Sequence, residues 1–264
     1  MRITSVQGFC LHDGPGLRTV IFLAGCPLCC PWCHNPEARF AAARLSYDAG
    51  RCIGCRACGD VCQSTAHTWE GGTHRLAWDA CRSCLACADA CPTGALTRTV
   101  RDLSEEELFA IAERQRRLGG DEGGITFSGG EPLLQADALL PLLPRLSVHT
   151  AIETSGYADE ETFCRTVAAV DLVMMDLKLA SDAAHRRYCG VSNLPILRNL
   201  AHLRQSGRPY ILRTPLIPGI TDTEENLRAP SAIVGNDPWE LLPYHAAARE
   251  KHGRIGLPYR ISEK

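Results

Sequence analysis

Four cysteines fall within eight residues of the stretch AGCPLCCPWCHNPE (24–37), and prolines bracket them. The chain holds 15 cysteines in 264 residues, and 11 of them lie in three tight runs. These are Cys26, Cys30 and Cys33; Cys52, Cys55, Cys58 and Cys62; and Cys81, Cys84, Cys87 and Cys91. Cys10, Cys29, Cys164 and Cys189 stand outside these patterns. The opening MRITSVQGFCLHDG lacks the charged-then-apolar pattern of an export leader. A reducing compartment is therefore expected, where thiols stay free and tight runs of thiolates hold soft metals.

The second and third runs share the form CxxCxxCxxxC. RCIGCRACGDVCQSTAHT (51–68) aligns with ACRSCLACADACPTGALT (80–97), Cys81 following Cys52 by 29 residues. The later half ends in Pro92, which completes the bacterial ferredoxin run for cubane iron–sulfur clusters. In paired runs the fourth cysteine crosses to the other cluster. One cluster is thus expected on Cys52, Cys55, Cys58 and Cys91, and another on Cys81, Cys84, Cys87 and Cys62. Structural zinc is the competing reading, although zinc sites favour two CxxC pairs separated by a longer loop. Gln63 stands where the later half has Pro92, so the turn after Cys62 is less rigid. The first run differs, being Cys26-x3-Cys30-x2-Cys33 with no fourth cysteine nearby. Three thiolates on a four-iron cluster leave one iron open, and an open iron can chelate the amino and carboxylate groups of a small molecule.

Such a loop needs a rigid scaffold, and the remaining sequence has the pattern of one. LRTVIFLAG (17–25), GITFSGGEP (124–132), HTAIETSGY (149–157), DLVMMDLKLA (171–180), PYILRTPLIPG (209–219) and WELLPYH (239–245) read as strands. Helical segments separate them: 103–118, opened by a capping box of Ser104 and Glu107 and closed by Gly119-Gly120, then 139–146 and 159–169. The alternation favours an α/β fold with a parallel sheet and right-handed crossovers, a partial (β/α)6 TIM-like barrel. Residues 46–100 break the rhythm and read as an inserted bacterial-ferredoxin-like domain with two clusters. They separate the first strand and its cysteine loop (1–45) from the remainder of the barrel (101–264).

In a barrel, ligand groups sit at the C-terminal strand ends. Gly129 and Gly130 there let backbone approach a ligand, and Glu131 offers a carboxylate for an ammonium. Period two puts Met174, Asp176 and Lys178 on one face of 171–180 and Val173, Met175 and Leu177 on the other. A structural ion pair inside the barrel would look the same. Arg213 suits a carboxylate or ribose, and His245 closes the ring of strand-end groups. Lys+Arg 28 against Asp+Glu 30 leaves a net charge of −2, with no global pull toward nucleic acid or an anionic membrane. With no long apolar run to span a bilayer, a cytoplasmic protein is expected.

CxxxCxxC directly after a first strand resembles the radical S-adenosylmethionine (SAM) superfamily. That resemblance implies a reduced cluster passing one electron to the sulfonium of SAM, homolysis of its S–C5′ bond, and hydrogen abstraction by a 5′-deoxyadenosyl radical. HDGPGLRTVIFLAGCPLCCPWCHNPE (12–37), the double ferredoxin run, SGGEP, ETSGY, VMMDLK and LPYH together resemble the activating enzymes of glycyl radical enzymes. The resemblance spans nearly the whole chain. It implies that the hydrogen comes from a backbone glycine of a partner glycyl radical enzyme, with a flavodoxin or ferredoxin as electron donor and three [4Fe–4S] clusters in all. By position, Cys26, Cys30 and Cys33 would hold the catalytic cluster, and Gly129, Gly130 and Glu131 the methionyl amino group. Lys178, Arg213 and His245 would contact SAM, with Ser155 also among the cofactor contacts. Glu153, Thr154, Met174 and Asp176 resemble a Na+ or K+ site, and Asp13 would lie near the partner's glycine loop. Cys29 occupies a spacer position where many members carry Arg, so it is expected not to be a ligand.

The insert is absent from the pyruvate formate-lyase activase and points to the activases of eliminases and of C–C lyases or synthases. A radical SAM enzyme acting on a small molecule is the alternative, and a pure electron carrier a further one. After LPYH the family usually adds a final helix, whereas AAAREKHGRIGLPYRISEK simply stops, and Pro230 interrupts ENLRAPSAIV. Both make an incomplete last βα unit the expectation.

Overall fold

The computed structural model describes residues 1–120 and 122–261. The chain opens with β1 (Arg2–Cys10) and β2 (Arg18–Leu23), then leaves the main sheet for β3 (Leu45–Tyr47), β4 (His67–Glu70), β5 (Thr73–Leu76) and β6 (Leu96–Arg98). It returns with β7 (Arg101–Asp102), β8 (Gly124–Gly129), β9 (His149–Thr154), β10 (Leu172–Asp176), β11 (Tyr210–Leu216) and β12 (Trp239–Pro243). The main sheet has the order β12-β11-β10-β9-β8-β2-β1-β7. From β2 to β12 every neighbouring pair is parallel, and the strands keep their chain order. This is the α/β alternation expected from the sequence, with all six expected strands in place.

The sheet extends beyond those six on the other edge of β2, where β1 and then β7 add antiparallel. The sequence hides β1 because its nine residues bury only Ile3 and Cys10. Such sparse apolar residues do not register as a strand period. The expected helix at 139–146 also breaks up, into a four-residue helix Ala136–Leu139 and a 3-10 turn Leu143–Arg145. Pro141 and Pro144 deny it the backbone donors a longer helix needs. By contrast the helix Glu105–Gly119 carries both halves of the capping box, with Ser104 Oγ accepting from Glu107 N at 3.2 Å. The helix Glu224–Val234 runs through Pro230 rather than stopping at it.

The strand faces sort as their period requires. Val173, Met175 and Leu177 enter the large core beneath the helices with Phe127, Ile152, Phe163 and Leu203. Met174 faces the opposite side, buried with Ala151 and Leu172. A separate apolar cluster of Leu28, Trp32, Leu179, Ile217 and Ile261 backs the first cysteine loop. Residues beyond β12 form a short helix Ala248–Arg254, where the sequence points to an incomplete last βα unit; residues 262–264 lie outside the described residues. That helix folds back on the cysteine loop, His252 Nε2 lying 3.0 Å from Cys33 O.

Between β2 and β7, β3 pairs antiparallel with β6, and β4 with β5. Positive φ recurs at Gly54 and Ser83, at Arg56 and Leu85, and at Thr65 and Gly94. Each pair is separated by the 29-residue spacing of the cysteine repeat, so the two halves share backbone conformation as well as sequence. Leu45, Cys58, Leu85, Cys87 and Leu96 form a small core of their own there.

Candidate active site

Beyond β2 the chain turns at Gly25, whose N bonds Ala38 O at 2.8 Å, and Cys26 N bonds Arg39 O at 3.1 Å. The loop thus pinned brings Cys26, Cys30 and Cys33 to one cavity of about 480 Å³. That is within the size range of small-molecule sites. Strand ends supply the rest of its wall: Gly129 and Gly130 at the end of β8, Glu153, Thr154 and Ser155 at the end of β9, Asp176 and Lys178 at the end of β10, and Arg213 within β11. Asp13 and His12 reach the rim from the loop between β1 and β2. Cys29 is outside this wall, its sulfur turned toward Gly190 and its N bonded to Cys189 O at 2.9 Å.

Close approach explains both glycines. A Cβ on Gly130 would stand 2.1 Å from Gly25 O, and one on Gly129 would stand 2.4 Å from Leu23 N. The turn is therefore pressed against the backbone that launches the cysteine loop, and Glu131 N bonds Gly25 O at 2.7 Å.

Electrostatics at the mouth are strongly perturbed. Burial pushes the Cys26 and Cys33 thiols up to about 12. A hydrogen bond with Cys189, followed by burial, raises Cys30. Three clustered thiols of this kind hold their protons at neutral pH unless a cation binds, and a coordinating metal deprotonates a thiol outright. The donor set fits an iron–sulfur cluster with three protein ligands, because no fourth cysteine lines the cavity among the described residues. Burial works against the charge of Lys178, but Asp176, to which its Nζ donates, and Cys30 override it and hold Lys178 above its ordinary range. Arg213 is only 6% exposed, and its guanidinium donates at 2.6 Å to Glu153, at 2.9 Å to Glu240 and at 2.9 Å to His12 O. Ser128 Oγ donates to the other Glu153 oxygen at 2.5 Å.

Three residues expected at the mouth lie elsewhere. Glu131 is fully buried behind the wall, where its carboxylate accepts from Thr154 Oγ1 at 2.6 Å and from Ser155 N and Oγ at 2.8 and 2.5 Å. It also accepts from Leu133 N at 3.2 Å, and these contacts order the end of β9. Met174 is buried with Ala151 and Leu172 and does not line the cavity. His245 is exposed beside the mouth, where its Nδ1 accepts from Ala247 N at 3.1 Å.

Sequence reasoning passed over Arg18. Its guanidinium is fully buried, donating to Thr126 Oγ1 at 2.6 Å, Pro15 O at 3.1 Å and Ile125 O at 2.7 Å. Thr126 Oγ1 in turn donates to Asp13 O at 2.6 Å, so Arg18 fixes the His12–Gly16 rim loop from inside the sheet. Its signal in the sequence was an arginine heading an otherwise apolar strand.

The segment between β2 and β7 gathers thiols too. Cys52, Cys55 and Cys58 line one cavity together with Cys91 from the other half. Cys81, Cys84 and Cys87 lie near one another, while Cys62 Sγ sits 3.5 Å from Ser64 Oγ. Cys58 also forms a tight buried group with His67 and His74.

A parallel α/β sheet whose first loop delivers three thiols to the strand-end cavity defines a class of protein, and residues 20–229 match the Radical SAM superfamily. The chain is 38% identical over 262 residues to the isethionate sulfite-lyase activating enzyme of Nitratidesulfovibrio vulgaris, covering 94% of this chain and 85% of that one. It is 35% identical over 276 residues to the 4-hydroxyphenylacetate decarboxylase activating enzyme of Clostridium scatologenes, covering 99% and 88%. Streptococcus suis SuiB shares the fold, with a TM-score of 0.53 at 13% identity over 94% of this chain and 43% of that one. The chain belongs to the radical SAM activating enzymes of glycyl radical enzymes.

Proposed function

We propose that this chain cleaves SAM at a cluster held by Cys26, Cys30 and Cys33 and takes a hydrogen from a backbone glycine of a partner glycyl radical enzyme. One observation carries the reading: three thiols, the Gly129-Gly130 turn, Lys178, Arg213 and Asp13 converge on a single cavity. When bound, the reduced cluster and SAM supply the 5′-deoxyadenosyl radical, so the hard chemistry belongs to the cofactors. The chain's own residues bind and orient. Gly129 and Gly130 present bare backbone to the methionyl end, held in place by Glu131 from behind. Lys178 and Arg213 line the wall paired with Asp176 and Glu153, and would reach the carboxylate of SAM by exchanging those partners. Asp13, on a loop anchored by Arg18 and Thr126, stands at the rim where a peptide from the partner would enter. His245 would serve as a SAM contact only after leaving its turn.

The same reading divides the chain into a cysteine-loop strand (1–45), a two-cluster ferredoxin-like insert (46–100) and the rest of a partial barrel (101–264). The joint lining of one cavity by Cys52, Cys55, Cys58 and Cys91 supports the crossed ligand assignment, and with it three [4Fe–4S] clusters. Electrons would reach the insert from a cytoplasmic flavodoxin or ferredoxin. A Na+ or K+ ion at Glu153, Thr154, Met174 and Asp176 has less support, since Arg213 and Lys178 already neutralise its two carboxylates. Among the described residues no helix is long and apolar enough to cross a membrane. Relatives serve a sulfite-lyase and a decarboxylase, so the partner is a lyase-type glycyl radical enzyme.

Anaerobic assays of 5′-deoxyadenosine formation test the ligand set. Cys26→Ala should abolish the product while retaining the insert's iron, and Cys29→Arg should keep both. Product formation by Cys26→Ala would refute the assignment.

A further inference from the structure

Two buried histidines in the insert are used neither by the thiol runs nor by the mouth. The β4–β5 hairpin lies between the two cysteine runs and pairs Trp69 with His74 and His67 with Leu76. His67 and His74 are 7% and 5% exposed. His67 Nδ1 lies 2.8 Å from His74 Nε2. The other nitrogen of His74, Nδ1, faces Cys52 Sγ at 3.7 Å, and Nε2 lies 3.9 Å from Cys58 Sγ. Trp69 stacks on the His74 ring at 5.3 Å and Tyr47 meets it edge-on at 4.7 Å, so its orientation is set by packing.

The neighbours decide which nitrogens carry hydrogen. A cysteinate holding iron only accepts; Nε2, 3.9 Å from Cys58, already has His67 at 2.8 Å as its partner, so the nitrogen that donates to sulfur is Nδ1, facing the nearer Cys52. The bare Nε2 of His74 then accepts from His67 Nδ1–H, and His67 Nε2 is left as a lone pair. That atom is indeed buried with no partner. The opposite arrangement would aim a lone pair at the sulfur and orphan a buried N–H, the costlier kind of unpaired group.

We propose that His74, oriented by His67, donates an N–H···S hydrogen bond to Cys52 and raises the reduction potential of the cluster on Cys52, Cys55, Cys58 and Cys91 above that of its twin. This rests on the two-cluster reading of the insert given above. A donor at a ligand sulfur offsets the negative charge that reduction adds, and so favours the reduced cluster. The remaining donors are matched between the two sets: Ser64 Oγ stands 3.5 Å from Cys62 Sγ and Thr93 Oγ1 3.7 Å from Cys91 Sγ, while Ser83 N donates to Cys81 and Leu96 N to Cys91, each at 3.4 Å. Among the described residues no ring N–H stands at the twin's sulfurs, and the residue 29 positions beyond His74 is Leu103, of the main core. An electron entering the insert therefore rests on the cluster beside His74.

Iron analysis and EPR-monitored redox titration of the anaerobically reconstituted full chain test this. Wild type should hold about 12 iron atoms, four per cluster; only about four would sink the two-cluster reading and the inference with it. Given full iron, His74→Phe should move one cluster's reduction equilibrium about tenfold toward the oxidised form, about 59 mV for one electron, and leave the others unchanged. His74→Asn, which keeps an N–H on that side, should stay near wild type. Full iron with three unmoved potentials in His74→Phe would overturn the inference. If that variant loses iron, wild type labelled with 15N-histidine decides: hyperfine coupling of nitrogen to an insert cluster supports the bond, and its absence refutes it.

Discussion

At Gly130 the demand is for no side chain at all, because the added carbon would meet Gly25 O and Ala38 O at 2.1 and 2.5 Å. Both are backbone atoms that cannot swing aside. Gly130→Ala should therefore cost about 3 kcal/mol, the upper end for overpacking, and show as a lower denaturation midpoint with loss of SAM cleavage. Glu131 and Glu153 carry a pH signature. Burial raises both carboxyls above their ordinary range, against the hydrogen bonds of Glu131 and the Arg213 charge beside Glu153. Between the ordinary value of 4.5 and the raised one, the folded chain binds more protons than the unfolded chain, so stability falls as pH rises. Anaerobic denaturant melts across that window should show a shallower fall for Glu131→Gln; an unchanged slope would remove Glu131 as its source. The sequence announced the chemistry of Glu131 but not its place, since a GGE turn shows a carboxylate without showing which side of the strand end it fills. His67 and His74 left only a faint trace, two histidines in a segment whose other ligand types were cysteines.

Strands and helices were legible where apolar residues were dense. Central strands such as Gly124–Gly129 and Leu172–Asp176 bury most of their side chains on both faces and so read as apolar runs, whereas Trp239–Pro243 at the sheet edge buries none. β1 was not legible, because it lies at the open side of the sheet with few buried residues. Pro230 misled in the other direction, since it sits inside the helix Glu224–Val234 and is itself buried. Its ring removes a hydrogen bond at about 3 kcal/mol, while replacing it with Ala forfeits about two buried methylenes at about 0.8 kcal/mol each. Pro230→Ala should thus gain about 1 kcal/mol, read by thermal unfolding. A loss instead would mean that the ring's packing outweighs the missing bond.

Across the whole molecule, the C-terminal segment ties the parts together. Lys251 Nζ donates to Asn35 Oδ1 at 3.1 Å, Arg254 pairs with Asp48 at 3.1 Å, and Gly256 lies against Trp78. The short C-terminal segment therefore touches the cysteine loop and the segment between β2 and β7 at once, a contact no local pattern could reveal because its partners lie far apart in sequence. That the cavity at the strand ends serves a protein substrate is the proposal on which the rest depends. It is tested most directly by incubating the reduced, reconstituted chain and SAM with purified lyase-type glycyl radical enzymes and recording EPR spectra. The expected result is the doublet of a backbone glycyl radical on one of them, absent with Cys26→Ala. Steady formation of 5′-deoxyadenosine with no glycyl doublet on any partner would contradict it.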